Sequence, residues 1–340
     1  MRWPNSELMS ASNEILTSSA VRTAEANIGL GQLGPEQEAH SQQLLFPSSE
    51  WKVVIRSIRA LIVLAKPEIT LMVMISAGVA SLMASGSLQV TVLVHSVVGI
   101  GLLAAGASIL NQYLERELDG RMRRTAKRPL PAGELTAGRA LVLGVAVSSA
   151  GMLYVLLLLN ALTALLGLLT LISYLFIYTP LKTKSSFCTL VGAFPGAAPV
   201  LMGWSATTNN LTLEAAALYA ILFLWQFPHF YAIGWLYRED YTRAGMLMIP
   251  SAGENDESTT FHLILISTQL LIIASLLLTF IAQMGTLYFA SAMILGICFY
   301  YFAYQACLSA SKLGAKRLLL ASVIYLPLLY LFMILDKVKL

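Results

Sequence analysis

The chain has 340 residues, of which 57% are hydrophobic and only 12% charged, with a formal net charge of +4. A soluble globular chain carries roughly 25% charged residues, so an ordinary soluble fold is excluded. The apolar residues come in long runs, which makes them membrane spans rather than one large core.

Residues 1–50 are rich in Ser, Ala, Glu and Gln and contain no long apolar run. They read as a disordered or weakly helical tail, followed by a membrane domain over 51–340. Arg2 and Arg22 are outnumbered by Glu7, Glu14, Glu25, Glu36, Glu38 and Glu50. An organellar transit peptide is Arg-rich and poor in acids, so a bacterial cytoplasmic tail is the expectation. Trp51 to Arg59 reads as an interfacial helix with Trp51 at headgroup depth.

A spanning helix needs about 20 mostly apolar residues. The pattern predicts nine, over roughly 69–85, 91–112, 138–158, 161–178, 188–206, 215–235, 261–283, 286–307 and 318–335. Asn160 is the one obvious break within the apolar stretch from 138 to 178. Arg56, Arg59 and Lys66 precede the first span. Basic residues from Arg116 to Arg139 follow the second, and Lys182 and Lys184 the fourth. Arg238 and Arg243 follow the sixth, and Lys312, Lys316 and Arg317 the eighth. The alternate loops at 86–89, 207–214 and 283–285 carry no Lys or Arg. The positive-inside rule makes the basic loops cytoplasmic, with the amino terminus inside and the carboxyl terminus outside a bacterial inner membrane. The positive charge therefore reflects topology, not nucleic-acid binding. Cys188, Cys298 and Cys307 are scattered, with neither a disulfide framework nor a zinc spacing.

The second span runs out in NQYLERELDGRMRRTAKRPLPAG. Asn111, Glu115 and Asp119 are spaced by four. Each such step turns an α-helix by about 400°, so the three share an arc of only about 80°. One polar stripe of two carboxylates and an amide thus faces one way at the membrane edge, next to a basic cluster. Oxygen donors beside fixed cations are what a magnesium-bound diphosphate requires. Two further cytoplasmic loops are long and polar: YTPLKTKSS from Tyr178, and WQFPHFYAIGWLYREDYTRAG from Trp225, which leads into SAGENDES. Glu239 and Asp240 read as a second acidic arm. Arg121, Lys127, Arg128, Lys182 and Arg238 are the diphosphate candidates, since Arg grips phosphate bidentately and Lys supplies a point charge.

Each feature has a plainer explanation. The RMRRTAKR run also serves as a topology signal against anionic lipid. Glu115 or Glu117 can pair along the helix with Arg121 or Arg123, although Asn111 gains nothing from such pairing. His229, after Pro228 and near Gln226, is either a satisfied polar group or a ligand. Tyr113, Tyr174, Tyr178, Phe227, Phe230, Tyr231 and Trp235 either steady a carbocation or belong to the interfacial belt.

The spacing N-x-x-x-[DE]-x-x-x-D, the RT-x-x-RPL next to it, the YTPLK segment and nine spans resemble the UbiA superfamily of intramembrane prenyltransferases. KPEIT at Lys66–Thr70, the segment Tyr178–Trp204 and the segment Trp225–Gly245 are similar to the branch of that family that farnesylates haem. The resemblance covers about Lys66 to Leu335. Two departures stand out: Glu115 replaces the commoner Asp, and the second acidic motif appears only as Glu239–Asp240. The resemblance implies an all-α polytopic fold of nine helices around a central cavity, capped by cytoplasmic loops. It implies magnesium held by Asn111, Glu115, Asp119, Glu239 and Asp240, and His229 as a candidate haem-binding residue. It also implies transfer of farnesyl from farnesyl diphosphate to a vinyl group of haem B, with water addition, to give haem O. A haem A synthase is an implied recipient of that product.

Two other readings remain open on the sequence. A sibling enzyme would prenylate an aromatic quinone precursor and turn over a hydroxybenzoate without haem. A non-enzymatic haem carrier or assembly factor would want paired axial ligands, and a secondary transporter would show an internal repeat; neither feature is visible.

Overall fold

The computed structural model describes residues 59–248 and 257–337. The expected tail, the stretch 51–58 and residues 249–256 lie outside the described residues, so the tail and its boundary at residue 50 stay expectations. Within the unit Ala60–Leu340 the helices are α1 (Pro67–Ser85), α2 (Val90–Arg121), α3 (Ala137–Leu158), α4 (Ala161–Leu181), α5 (Cys188–Thr208), α6 (Leu213–Leu236), α7 (Arg238–Ala244), α8 (Glu257–Ile281), α9 (Thr286–Ser309) and α10 (Lys312–Lys337). Among the described residues all but the short α7 are long and apolar enough to cross a membrane, nine in number. The chain is an integral membrane protein.

Local signals set the boundaries. Pro67 opens α1, where its missing N–H costs nothing. Gly86 closes the same helix at φ 63, a left-handed conformation that suits glycine. The predicted break between the third and fourth spans falls at Asn160. Its side chain accepts from the Thr163 N–H at 2.9 Å and donates to the Ser205 carbonyl of α5 at 2.7 Å. One residue therefore caps α4 and ties it to a neighbour.

Two departures from regular geometry place the polar residues. The first is the length of α2. Its 32 residues span about 48 Å at 1.5 Å per residue, against a hydrocarbon core of about 30 Å. Counted from Val90, Asn111 falls about 32 Å along the axis and Asp119 about 12 Å beyond it. The polar stripe thus occupies the part of the helix that outruns the hydrocarbon. The second departure is in α4, which is α-helical over Ala161–Ile172, π-helical over Ser173–Tyr178 and α-helical again over Thr179–Leu181. A π-turn adds a residue to the turn and rotates the chain beyond it, and such turns collect at functional sites. The residues rotated in this way are Thr179 and Lys182.

Helices approach closely where small residues permit it. A Cβ on Gly203 of α5 would lie 2.0 Å from the backbone oxygen of Ala77 in α1. By contacts, α2 runs along α3, α1 along α5, and α6 against α5, α8 and α10.

Candidate functional site

Asn111, Glu115 and Asp119 are all buried, at 1%, 5% and 1% exposure. An unpartnered stripe of this kind would be costly, because a buried polar group needs a hydrogen bond and a buried charge needs a counter-ion. Each residue has a basic partner from a different segment. Lys66, just before α1, donates from Nζ to Asn111 Oδ1 at 2.9 Å. Lys182, after α4, lies 2.6 Å from Glu115. Arg128, in the loop after α2, pairs with Asp119 at 2.8 Å. Asn111 also donates to Thr179 Oγ1 at 3.1 Å, and that hydroxyl donates to the Tyr174 carbonyl inside the π-turn. Three acceptors and three cations thus line up along one helix.

The charges shift one another. Burial, reinforced by the nearby Arg128 guanidinium, brings the Lys66 ammonium down to about 8. Burial also opposes the charge on Lys182, but the Glu115 carboxylate outweighs it and holds the ammonium well above the usual lysine range. The Lys182 ammonium also sits over the Tyr178 ring, 4.5 Å from its centroid. Lys66 itself adopts a left-handed backbone, φ 47. That conformation is unfavourable for a residue with a Cβ, and such strain gathers at functional sites.

The second arm is built differently. Asp240 in α7 accepts the backbone N–H groups of Arg123 and Arg124 at 3.2 and 3.1 Å, and the Arg243 guanidinium at 3.0 Å. Burial raises its carboxyl pKa, but the Arg124 and Arg123 N–H groups more than offset this and leave it below the usual range. Glu239 is exposed and pairs with Lys312 at 2.7 Å, which pulls its carboxyl down. Through these bonds the arm holds the basic loop and reaches Lys312. Arg124 completes the latch, donating to Tyr241 Oη at 2.9 Å with its guanidinium over the Tyr237 ring. Met122, Tyr241, Ala244 and Met246 seal the contact with an apolar cluster. Further on, the Leu247 N–H donates to the Lys182 carbonyl at 2.7 Å, and Thr189 Oγ1 to the Met248 carbonyl at 3.0 Å. All three polar loops therefore meet at one end of the bundle, as their shared charge pattern predicts.

The remaining candidates scatter. Arg121 and Lys127 lie near or within the same loop, and both are exposed. Arg238 lies over the Trp235 ring, 4.9 Å from its centroid. His229 stands apart from the stripe. Seven residues separate it from Leu236, so it lies about 10 Å from the end of α6 at membrane depth. The intrahelical pairing open to Glu115 does not form; its partner is Lys182 on α4's side. Sequence reasoning missed Lys66 and Thr179. Lys66 read as a topology charge and as the start of the KPEIT segment, neither of which assigns it to the stripe.

Among the described residues no three His, Cys, Asp or Glu side chains form a ready metal cluster. The donor chemistry of the stripe nonetheless suits magnesium, with one amide oxygen and two carboxylates on one face. Glu115 Oε1 already meets one cation, the Lys182 ammonium at 2.6 Å, and a carboxylate oxygen has a further lone pair for another.

A helical bundle inside the bilayer, whose polar end couples acids to bases beneath a latched basic loop, is the build of an intramembrane enzyme acting on an anionic head with an apolar tail. The chain belongs to the UbiA prenyltransferase family, whose match spans residues 71–333. It is 43% identical over 289 residues to the protoheme IX farnesyltransferase of Solibacter usitatus, covering 82% of this chain and 99% of that protein. Among solved structures it resembles a digeranylgeranylglyceryl phosphate synthase, with a TM-score of 0.69 at 15% identity, covering 83% of this chain and 99% of that one. It also resembles a UbiA homologue from Archaeoglobus fulgidus bound to GPP and magnesium, with a TM-score of 0.57 at 13% identity, covering 81% of this chain and 99% of that one. At these identities the two structures speak for the fold.

Proposed function

We propose that this chain transfers the farnesyl group of farnesyl diphosphate to a vinyl group of haem B, with addition of water, giving haem O and diphosphate. The identity of the two substrates is supported by similarity to a farnesyltransferase over nearly that protein's whole length. The chemistry rests on one observation, the coupling of three buried acceptors to bases in Asn111–Lys66, Glu115–Lys182 and Asp119–Arg128.

Breaking the allylic C–O bond puts negative charge on the diphosphate and leaves a delocalised cation on farnesyl. Lys66, Lys182 and Arg128 stand where they can exchange their present partners for phosphate oxygens and hold that charge as it develops. Arg121, Lys127 and Arg238 add to the field of the polar end. Asn111, Glu115 and Asp119 are the residues that would hold magnesium, which when bound neutralises the leaving group. Asp240 keeps the cationic loop in place over them, and Glu239 stays with Lys312. The farnesyl cation adds to the terminal carbon of the vinyl group, and water captures the cation this creates. The stacked Tyr174 and Tyr178, with centroids 5.5 Å apart, flank the Lys182 side of the stripe and offer π-faces to passing positive charge. His229 is the haem-binding candidate.

The positive loops put the polar end in the cytoplasm of a bacterium, the amino terminus inside and the carboxyl terminus outside. Haem O stays in the bilayer because its farnesyl tail is apolar, and a haem A synthase is a fitting recipient there.

Purified protein given haem B, farnesyl diphosphate and magnesium should yield haem O by mass spectrometry, and a chelator should stop it. Turnover of a hydroxybenzoate with none of haem B would overturn the reading.

A further inference from the structure

His229 does not belong to the diphosphate end, and its surroundings do more than satisfy a stray polar group. Its Nδ1 lies 2.8 Å from Ser322 Oγ on α10. The Leu319 carbonyl, which can only accept, lies 2.6 Å from that hydroxyl. A hydroxyl has one hydrogen, so both contacts are satisfied together only when it donates to Leu319 and accepts from Nδ1. That arrangement puts the proton on Nδ1 and the lone pair on Nε2. The ring is held in plane as well. Trp225, one helical turn earlier, stacks on it with centroids 4.6 Å apart and planes at 22°. The Trp225 indole N–H donates to the Ser322 carbonyl at 2.8 Å. Ser322 is therefore the common anchor for the tautomer and for the ring that stacks on it.

A clasp between α6 and α10 would need only one polar contact inside the bilayer. Here two groups, the Ser322 hydroxyl and the Trp225 ring, fix one imidazole, and its Nε2 makes no hydrogen bond among the described residues although the residue is only half-buried. A metal-binding histidine has this signature: the far nitrogen donates to a fixed acceptor, which sets the tautomer and strengthens the ligating nitrogen.

We propose that Ser322, with Trp225, is the positioning residue that holds His229 with Nε2 directed as an axial ligand to the iron of the haem substrate. The inference rests on the proposed use of haem B as substrate. No electron is transferred; Nε2 donates its lone pair to iron while Nδ1 keeps its proton. Ligation at membrane depth anchors the macrocycle below the diphosphate end.

The test uses the full-length protein in detergent with haem B, reduced to the ferrous state and followed by resonance Raman and absorbance titration. The wild type should show an iron–histidine stretching band, and His229→Ala should lose it. Ser322→Ala should move the band to lower frequency and weaken haem binding about tenfold, and Ser322→Thr should restore both. Farnesyl diphosphate binding should be unchanged in all of these variants. Trp225→Phe, which keeps a stacking ring but loses the indole N–H, should shift the band the same way by less, and serves where Ser322→Ala does not fold. A Ser322→Ala or Trp225→Phe protein with the wild-type band position and affinity overturns the positioning role. A band that survives His229→Ala overturns the ligand. A wild type that binds no haem and makes no haem O removes the underlying reading, an outcome distinct from the other two.

Discussion

The two acidic arms differ in spacing along the sequence, a stripe of four-residue steps against an adjacent pair, and differ further in the structure. The stripe on α2 is buried, and each member couples to a base brought from another segment: Lys66 before α1, Lys182 after α4, Arg128 from the next loop. The pair on α7 commits Asp240 to the backbone of the basic loop and Glu239 to an exposed lysine. Both arms neutralise charge. Only the first gathers cations and oxygen donors on one surface, which is the arrangement a charged leaving group needs. The second arm holds the basic loop that follows α2.

The contrast can be broken most severely at Lys182. Replacing it by Met strands the buried Glu115 charge, so Lys182→Met should cost roughly 3–5 kcal/mol of stability in a denaturant series in detergent. The double variant Glu115→Gln/Lys182→Met should regain most of it. Simply additive losses would mean that the couple is not a unit. Next in size, Asp119→Asn removes a charge from the proposed leaving-group site and should lower haem O turnover roughly 10²–10³-fold, with haem binding retained. A smaller effect is expected at Asp240. Asp240→Ala should release the loop at a cost of about 1.5–3 kcal/mol of local stability, read as faster tryptic cleavage after Arg123 and Arg124. Its magnesium requirement should stay that of the wild type. If Asp240→Ala raises the magnesium concentration needed for half-maximal turnover as much as Asp119→Asn does, the two arms are equivalent ligands and the contrast is lost. Least of all, Glu239→Gln breaks only an exposed pair and should leave turnover within about twofold of the wild type.

Helix packing offers a control away from both arms. Gly203→Ala drives a Cβ against the Ala77 backbone, and backbone cannot swing aside as a side chain can. A loss of about 1–3 kcal/mol is expected, with the magnesium requirement unaltered.

Much of this was legible in the chain itself. Nine spans are set by apolar run length, because a bilayer of fixed thickness imposes one scale on every helix. The Asn160 break was readable because an Asn between apolar runs competes for backbone N–H groups and caps a helix. The stripe of Asn111, Glu115 and Asp119 was readable because a helix converts a spacing of four into a shared face. Two things were not legible. That α2 runs on past Asp119 to Arg121 leaves no periodic mark, since the stripe ends at Asp119. The π-turn at Ser173–Tyr178 leaves no compositional trace, yet it governs where Thr179 and Lys182 point.

The sequence by itself thus determined the class of molecule, the family resemblance and the short-range geometry of a single helix face. These are periodic or local properties, and a periodic property can be read along a single chain without knowing its neighbours. The tertiary structure alone decided the partners: that Lys66 meets Asn111, that Asp240 serves a loop backbone, and that Ser322 reaches across 93 residues to His229. Such pairings depend on how rigid helices cross, and a crossing is fixed by packing along their whole length rather than by the residues that finally touch.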